Sequence, residues 1–362
     1  MEVKEKVISG VGSGREEQLQ FLRFLAFLNI FIYHGEQWLF FRYPVSHCGF
    51  SAVSFFFMLS GLVAGYTMIG KQEDVGLRQI GAFLRKKIGK LYPLYFCTVI
   101  FTVLFTGLPE MLLRGDFAAA GQPLRQLLRT LLLIQAWFPE GYYAYNGVGW
   151  FLSVMMFLYA LTLPAMAVLR KVNSHPKRYF LLAFLAGGLL FASAVYCYVT
   201  QQLDMGYWHY IFPPARLGEY LAGMVLGVGI RSVKSRIPTG TWVRVLCTVL
   251  EIAVLLYWFR RLSFPGNYWR NHIVSWLIPN TLLLTVFTIG RGWVSGLFRC
   301  KMPVRLGDVS FPCYLIHQIL LNLYNNLHPE AALSQQGKAA AFLYCLTASV
   351  IFALCLEKKK RK

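Results

Sequence analysis

An arginine and a histidine in the first apolar segment have side chains and a spacing suited to chemistry. The stretch RFLAFLNIFIYH begins with Arg23 and ends with His34. In a helix this spacing lies within about 20° of a whole number of turns, so both residues share one face about 16 Å apart along the axis. The guanidinium can bind an anion, and the imidazole can act as a base near neutral pH. Alternatively, Arg23 is a charge flanking the segment and His34 is a hydrogen-bonded packing residue.

A cluster of basic residues precedes a proline further along the chain. Arg85, Lys86, Lys87 and Lys90 stand just before Pro93. Such a cluster can contact the anionic headgroups of a lipid surface. It can also hold a ligand that carries phosphate groups, through charge-assisted hydrogen bonds. The residue types alone leave both hypotheses open.

Two later sets of polar residues stand within or beside apolar segments. Arg216 and Glu219 are three residues apart, so in a helix they can pair on one face or line a polar cavity. The stretch GDVSFPCYLIHQ contains Asp308, Ser310 and His317. We expect His317, taken by itself, to be a packing group more readily than a catalytic one.

The composition indicates which elements position these residues. The chain has 362 residues, of which 56% are hydrophobic and 14% are charged, whereas soluble domains are about 45–50% apolar and about 25% charged. The sequence therefore predicts an all-α, polytopic bundle in a membrane. We expect one integral membrane domain over residues 1–362, with its core at 20–356.

Apolar runs long enough to span a bilayer recur along the whole chain. A shorter run, Leu124–Phe138, contains two arginines and predicts a helix that lies in the membrane interface. The sequence predicts about ten transmembrane helices, at 20–41, 49–70, 91–108, 149–169, 179–200, 214–230, 243–259, 273–290, 306–324 and 338–356.

The chain has a formal net charge of +20. Its lysines and arginines lie mostly in the loops between these segments. Of the 36 lysines and arginines, 27 fall in the segments that share a side with the N-terminus. Because positive loops stay in the cytoplasm, we predict a multi-pass protein of the cell membrane with both termini cytoplasmic. This distribution argues against nucleic acid as a partner and points to membrane lipids. The eight cysteines show no metal-ligand spacing, so no metal site is predicted.

These residues, in this order, resemble the motifs of the acyltransferase family 3 integral membrane enzymes over about residues 20–325. Six motifs in the right order make the resemblance specific. The matching residues are Leu22, Arg23, Ala26 and His34; Phe56, Phe57, Ser60 and Gly61; Lys87 and Lys90 with Arg85 alongside; Trp150, Leu152 and Tyr159; Arg216, Glu219 and Gly223; and Ser310, Tyr314, Leu315 and His317.

The resemblance implies an O-acyltransferase. It implies acyl-CoA, by default acetyl-CoA, as co-substrate without a bound cofactor, and a hydroxyl of a cell-surface carbohydrate or lipid-linked glycan as acceptor. It makes His34 the catalytic base. It assigns donor binding to Arg23, Arg85, Lys87 and Lys90, and support of the site to Ser60, Trp150, Arg216, Glu219 and His317.

The chain departs from the family pattern at two places. Many members carry a glutamate where Met155 or Met156 stands, so the partner of His34 is left open. Lysines replace the arginines of the basic motif, and a lysine cannot grip a phosphate with two parallel hydrogen bonds. Donor binding would then depend more on Arg85 and Arg23.

The rival class is a multi-span transporter or flippase for a polar or glycan substrate. Such proteins often consist of two repeats with corresponding broken helices. The segments 20–169 and 179–324 show no such correspondence. The sequence therefore favours the enzyme.

The charge asymmetry predicts the topology. A reporter fused after Lys362 is expected in the cytoplasm, and a reporter inserted at Gly141 is expected on the outer side, because most of the positive charge stays inside. Protease protection in spheroplasts measures both positions. A cytoplasmic reporter at Gly141 would show that the predicted number of spans is wrong.

Overall fold

The computed structural model describes residues 16–39, 49–70, 75–173, 206–263, 273–328 and 335–361, with isolated positions between 188 and 199. Within these residues the chain is all-α, as predicted. The helices are α1 (Gln18–Leu39), α2 (Gly49–Met68), α3 (Leu77–Ile88), α4 (Tyr92–Val103), α5 (Leu108–Leu113), α6 (Phe117–Leu131), α7 (Trp150–Asn173), α8 (Gly206–Tyr210), α9 (Leu217–Lys234), α10 (Thr241–Ser263), α11 (Ile273–Ile289), α12 (Trp293–Phe298), α13 (Lys301–Leu327) and α14 (Gln335–Arg361).

Nine of the ten predicted spans coincide with helices. The remaining one, 179–200, lies largely outside the described residues. The third is shorter than predicted, because the helix there is only the 12 residues of α4. Within the described part of the chain, four helical segments are long and apolar enough to cross a membrane, namely Gly49–Met68, Gly147–Asn173, Thr241–Ser263 and Gln336–Glu357. The count of ten spans stays a prediction.

The predicted interfacial helix Leu124–Phe138 has the wrong boundaries. The observed helix α6 begins earlier because a carboxylate oxygen of Asp116 accepts a hydrogen bond of 3.0 Å from the amide of Ala119, which caps the first turn. It ends earlier because Leu133 adopts a positive φ of 56°. A short 3₁₀ turn, Gln135–Trp137, follows.

Helices α2 and α9 pack against each other through glycines. Gly61 and Gly65 on α2 face Gly223 and Gly227 on α9, and a Cβ on any of the four would overlap a backbone carbonyl oxygen of the opposite helix. Both pairs have the four-residue spacing that brings membrane helices into close contact. The two helix backbones therefore touch directly.

A second close approach joins α1 to α13. A Cβ on Gly307 would overlap the backbone of Gln20. Near the same end, Nε of Arg299 donates a hydrogen bond of 3.0 Å to Oε1 of Gln18. Because the beginnings of α1 and α13 meet here, the later parts of the two helices also run side by side.

The α2–α9 contact gives a prediction about stability. Gly223→Ala should destabilise the protein by about 1–3 kcal/mol, since the added methyl group forces two backbones apart. The melting temperature of the purified protein in detergent measures the effect.

Gly229→Ala on the same helix is the matched control, because nothing lies within 4 Å of the Cβ position there. It should leave the melting temperature unchanged or raise it, since alanine favours a helix over glycine. Equal melting temperatures for the two variants would contradict the glycine contact.

Candidate active site

Two cavities adjoin each other in the middle of the bundle. The larger, which we call the Arg23 cavity, has a volume of about 660 Å³. The smaller, which we call the His34 cavity, has a volume of about 110 Å³. Ile30, Val53 and Tyr314 line both. The cavities therefore meet at a partition made by these three side chains.

The Arg23 cavity combines cations with an apolar wall. Arg23, Lys87 and Arg231 line it together with one acidic residue, Glu16. The Glu16 carboxylate pairs at 2.7 Å with Lys234, so the cavity keeps an excess of positive charge. The apolar part of the wall includes Phe56, Leu59, Phe151, Leu152 and Met155. Such a cavity suits a ligand with an anionic end and a less polar arm.

The His34 cavity is largely aromatic. Beyond His34 and the shared partition, its wall includes Tyr33, Phe50, Tyr143, Trp150 and Tyr210. Among the described residues that line it, none is a lysine, an arginine or an acid. This cavity suits an uncharged ligand with hydroxyl groups and faces that can stack on aromatic rings.

A chain of hydrogen bonds fixes the imidazole of His34. Its Nδ1 lies 2.9 Å from Nε2 of His317, and Nδ1 of His317 lies 2.7 Å from the carbonyl oxygen of Tyr314. A carbonyl oxygen can only accept, so Nδ1 of His317 donates to it and Nε2 of His317 accepts from His34. With both rings neutral, Nε2 of His34 carries a lone pair.

The two histidines differ in burial. His317 is completely buried, and its ring lies 5.8 Å from Phe27 and 5.9 Å from Phe31, measured between ring centroids. His34 is only partly buried and lines its cavity. His34 can therefore meet a substrate, while His317 acts on it from behind. The sequence did not reveal this partnership, because the two residues are 283 positions apart.

Lys87 points between two aromatic rings at the edge of the Arg23 cavity. Its Nζ lies 5.3 Å from the ring centroid of Phe83 and 5.4 Å from that of Tyr159. Burial, followed by the positive charges of Lys90 and Lys86, lowers the pKa of Lys87 below the usual lysine value. An anion near this ammonium group would relieve both effects.

The other predicted donor-binding and support residues lie at different places. Arg85 and Lys90 are exposed, and neither lines the Arg23 cavity. Ser60 does line it, and its hydroxyl donates to the carbonyl oxygen of Phe56 at 2.8 Å. Trp150 lines the His34 cavity.

Arg216 and Glu219 form a buried ion pair behind the site. They lie 2.9 Å apart with almost no exposure. The guanidinium carbon of Arg216 lies 4.7 Å from the ring centroid of Phe57 and 5.4 Å from that of Tyr210. The pair lines neither of these two cavities. Removing one partner would leave the other charge buried and unpaired.

Two polar side chains are among the cavity residues that the sequence did not indicate. Tyr66 and Arg231 line the Arg23 cavity. In the sequence, Arg231 is one of many positive loop charges, and Tyr66 stands near the end of an apolar run without a distinctive signal. Among the described residues, no group of three histidines, cysteines or acids could hold a metal ion.

Comparison with known proteins decides the family. Residues 16–358 match the family model of the acyltransferase domain of acyltransferase family 3. The chain belongs to acyltransferase family 3. Acyltransferase MdmB of Streptomyces mycarofaciens is 29% identical over 335 residues, which cover 84% of this chain and 79% of that protein. No solved structure matches the chain. The sequence-based resemblance is therefore confirmed, and this family 3 member is an acyltransferase with membrane helices.

Proposed function

We propose that this acyltransferase moves an acyl group, by family default acetyl, from cytoplasmic acyl-CoA to a hydroxyl of a carbohydrate or lipid-linked glycan on the outer side of the cell membrane. Both termini lie in the cytoplasm in this proposal. The observation that carries it is the adjoining pair of cavities. One contains the cations, the other contains His34, and Ile30, Val53 and Tyr314 line both.

The Arg23 cavity is the proposed donor site. Arg23 and Lys87 would neutralise the diphosphate of CoA. The 11-residue spacing puts His34 about 16 Å further along α1, which matches the reach of an extended pantetheine arm. The apolar wall of this cavity would surround that arm, so the thioester arrives at the partition.

The reaction at His34 follows from its hydrogen bonds. Nε2 takes the proton of the acceptor hydroxyl while the hydroxyl oxygen attacks the thioester carbonyl. The carbon–sulfur bond breaks, the CoA thiolate leaves, and the imidazolium then gives the proton from Nε2 to that thiolate, which restores neutral His34. The imidazolium formed in between keeps its Nδ1–H bond to His317, whose own ring is anchored on the Tyr314 carbonyl. His317 is thus the orienting partner of the base.

The His34 cavity is the proposed acceptor site. Its aromatic, uncharged wall suits the face of a sugar ring and its hydroxyl groups. In an interfacial belt, such aromatics would contact lipid; here Trp150, Tyr143 and Tyr210 share a cavity with His34 instead.

Loss of the base should abolish turnover. His34→Gln and His34→Ala should each lower the rate of label transfer from radiolabelled acetyl-CoA, in membrane vesicles of the producing cells, by about 10²–10⁴-fold. The dissociation constant for acetyl-CoA should stay unchanged, since donor binding takes place in the other cavity.

His317→Gln is the matched variant, because its amide oxygen can still accept a hydrogen bond from His34. His317→Gln should lower the rate of label transfer less than His34→Gln does. If His34→Gln kept more than about a tenth of the activity, proton abstraction would not be its role. If the two effects were reversed, the base would be His317.

Lys87 should contribute to donor binding and Lys90 should not. Lys87→Ala should raise the KM for acetyl-CoA about tenfold or more, because a charge-assisted contact with phosphate is lost. Lys90→Ala removes the same charge from an exposed position and should change KM by less than about twofold. Equal effects of the two variants would make this segment a general basic surface.

The same lysine gives a pH dependence. Because its pKa is lowered by burial and by Lys90 and Lys86, rising pH removes its charge earlier than for an ordinary lysine. The KM for acetyl-CoA should therefore rise with pH in the wild type. Lys87→Arg should abolish that rise, since arginine keeps its charge.

A further inference from the structure

A second cationic position lies at the mouth of the Arg23 cavity, away from Lys87. Arg231, near the end of α9, lines the cavity, and its guanidinium carbon lies 5.2 Å from the ring centroid of Tyr66. The side chain is exposed. One face of the guanidinium thus rests on an aromatic ring while the group remains open to a ligand.

The nearby acid does not neutralise Arg231. The Glu16 carboxylate pairs with Nζ of Lys234 at 2.7 Å, and the same Nζ donates to the carbonyl oxygen of Thr288 at 2.8 Å. Among the residues that the structure describes, no carboxylate lies within ion-pair distance of Arg231. Within the described residues, the mouth of the cavity therefore presents an arginine that is always charged and has no acid paired with it.

The cations stand at two depths. Glu16, whose carboxylate bonds to Tyr66, stands two residues before α1 begins and seven residues before Arg23, so it lies nearer the start of the helix than Arg23 does. Tyr66 and Arg231 share the level of Glu16. Lys87 contacts Tyr159, which in turn interacts electrostatically with Arg23. Lys87 therefore shares the deeper level of Arg23.

This order matches the order of charged groups along CoA. From the thioester outward, the molecule has the pantetheine arm, the diphosphate and then the ribose with its 3′-phosphate. We propose that Arg231 binds the 3′-phosphate of the CoA donor, while Arg23 and Lys87 hold the diphosphate; this rests on the proposed function. An arginine suits a terminal phosphate because it can form two parallel hydrogen bonds with it.

The assignment gives the enzyme a way to select its donor. A thioester on a carrier protein has the pantetheine arm and one phosphate but no 3′-phosphate. Only a CoA thioester would place phosphate groups both at Arg23 and Lys87 and at Arg231. Arg231 is thus a specificity residue for the free coenzyme.

Binding of acetyl-CoA and of acetyl-3′-dephospho-CoA to the purified full chain in nanodiscs tests this, because it needs no acceptor. Wild type should bind the dephospho donor about tenfold or more weakly than acetyl-CoA. Arg231→Ala should bind acetyl-CoA about tenfold or more weakly and no longer distinguish the two donors. Arg231→Lys should restore part of the difference.

Two control variants make the result specific. Lys87→Ala should weaken both donors by the same factor, because both contain the diphosphate. Arg236→Ala removes an exposed charge that lies outside the cavity lining and should change neither constant by more than about twofold.

The inference is overturned if wild type binds both donors equally, or if Arg231→Ala, confirmed as folded by gel filtration, still distinguishes them as wild type does. If wild type binds no acetyl-CoA at all, the proposed function itself fails. These outcomes separate an error about Arg231 from an error about the reaction.

Discussion

Direct contact between helix backbones, which only glycine permits, determines where the functional side chains lie. The glycines of α2 and α9 bring Tyr66 and Arg231 to one rim of the Arg23 cavity. Gly307 places α13 against the beginning of α1, so that His317 reaches His34 further along. In lipid, where no hydrophobic force drives helices together, close packing of this kind supplies much of the association energy. The site therefore depends on residues that have no side chain.

Buried polar groups in this bundle fall into two kinds that the sequence alone does not separate. Glu251 is completely buried, yet its carboxylate accepts from the amides of Gly292 and Ser295 and from the Ser295 hydroxyl. It caps the start of α12 and has a structural role. His34 differs because, among the residues that the structure describes, one of its nitrogens faces no such fixed partner and its ring lines a cavity. A buried polar group whose hydrogen bonds go to the backbone has a structural role. A buried polar group that lines a cavity is a candidate for function.

Much of the site could be predicted where the signal is local. The shared face of Arg23 and His34 follows from the helical period alone. The helical period could also have distinguished Lys87 from Arg85. Lys87 follows Ile80 and Phe83 at the spacing of one helix face, whereas Arg85 lies on a different face. The four-residue glycine spacings were visible as well. The His34–His317 bond could not be predicted, because it depends on how α1 and α13 meet and on no pattern within either helix.

Tyr314 shows why the two halves of the site act together. Its ring stands in the partition between the cavities, its carbonyl oxygen accepts from His317, and its hydroxyl donates to the carbonyl oxygen of Val148 at 3.0 Å. In the proposed reaction, one residue thus fixes both the wall that the thioester must reach and the hydrogen-bond chain that orients His34. A shift of this ring to widen the passage would also disturb the anchor of His317. In the proposed reaction, only the small acyl group therefore needs to pass the partition, and the phosphates of CoA remain with the cations on their own side.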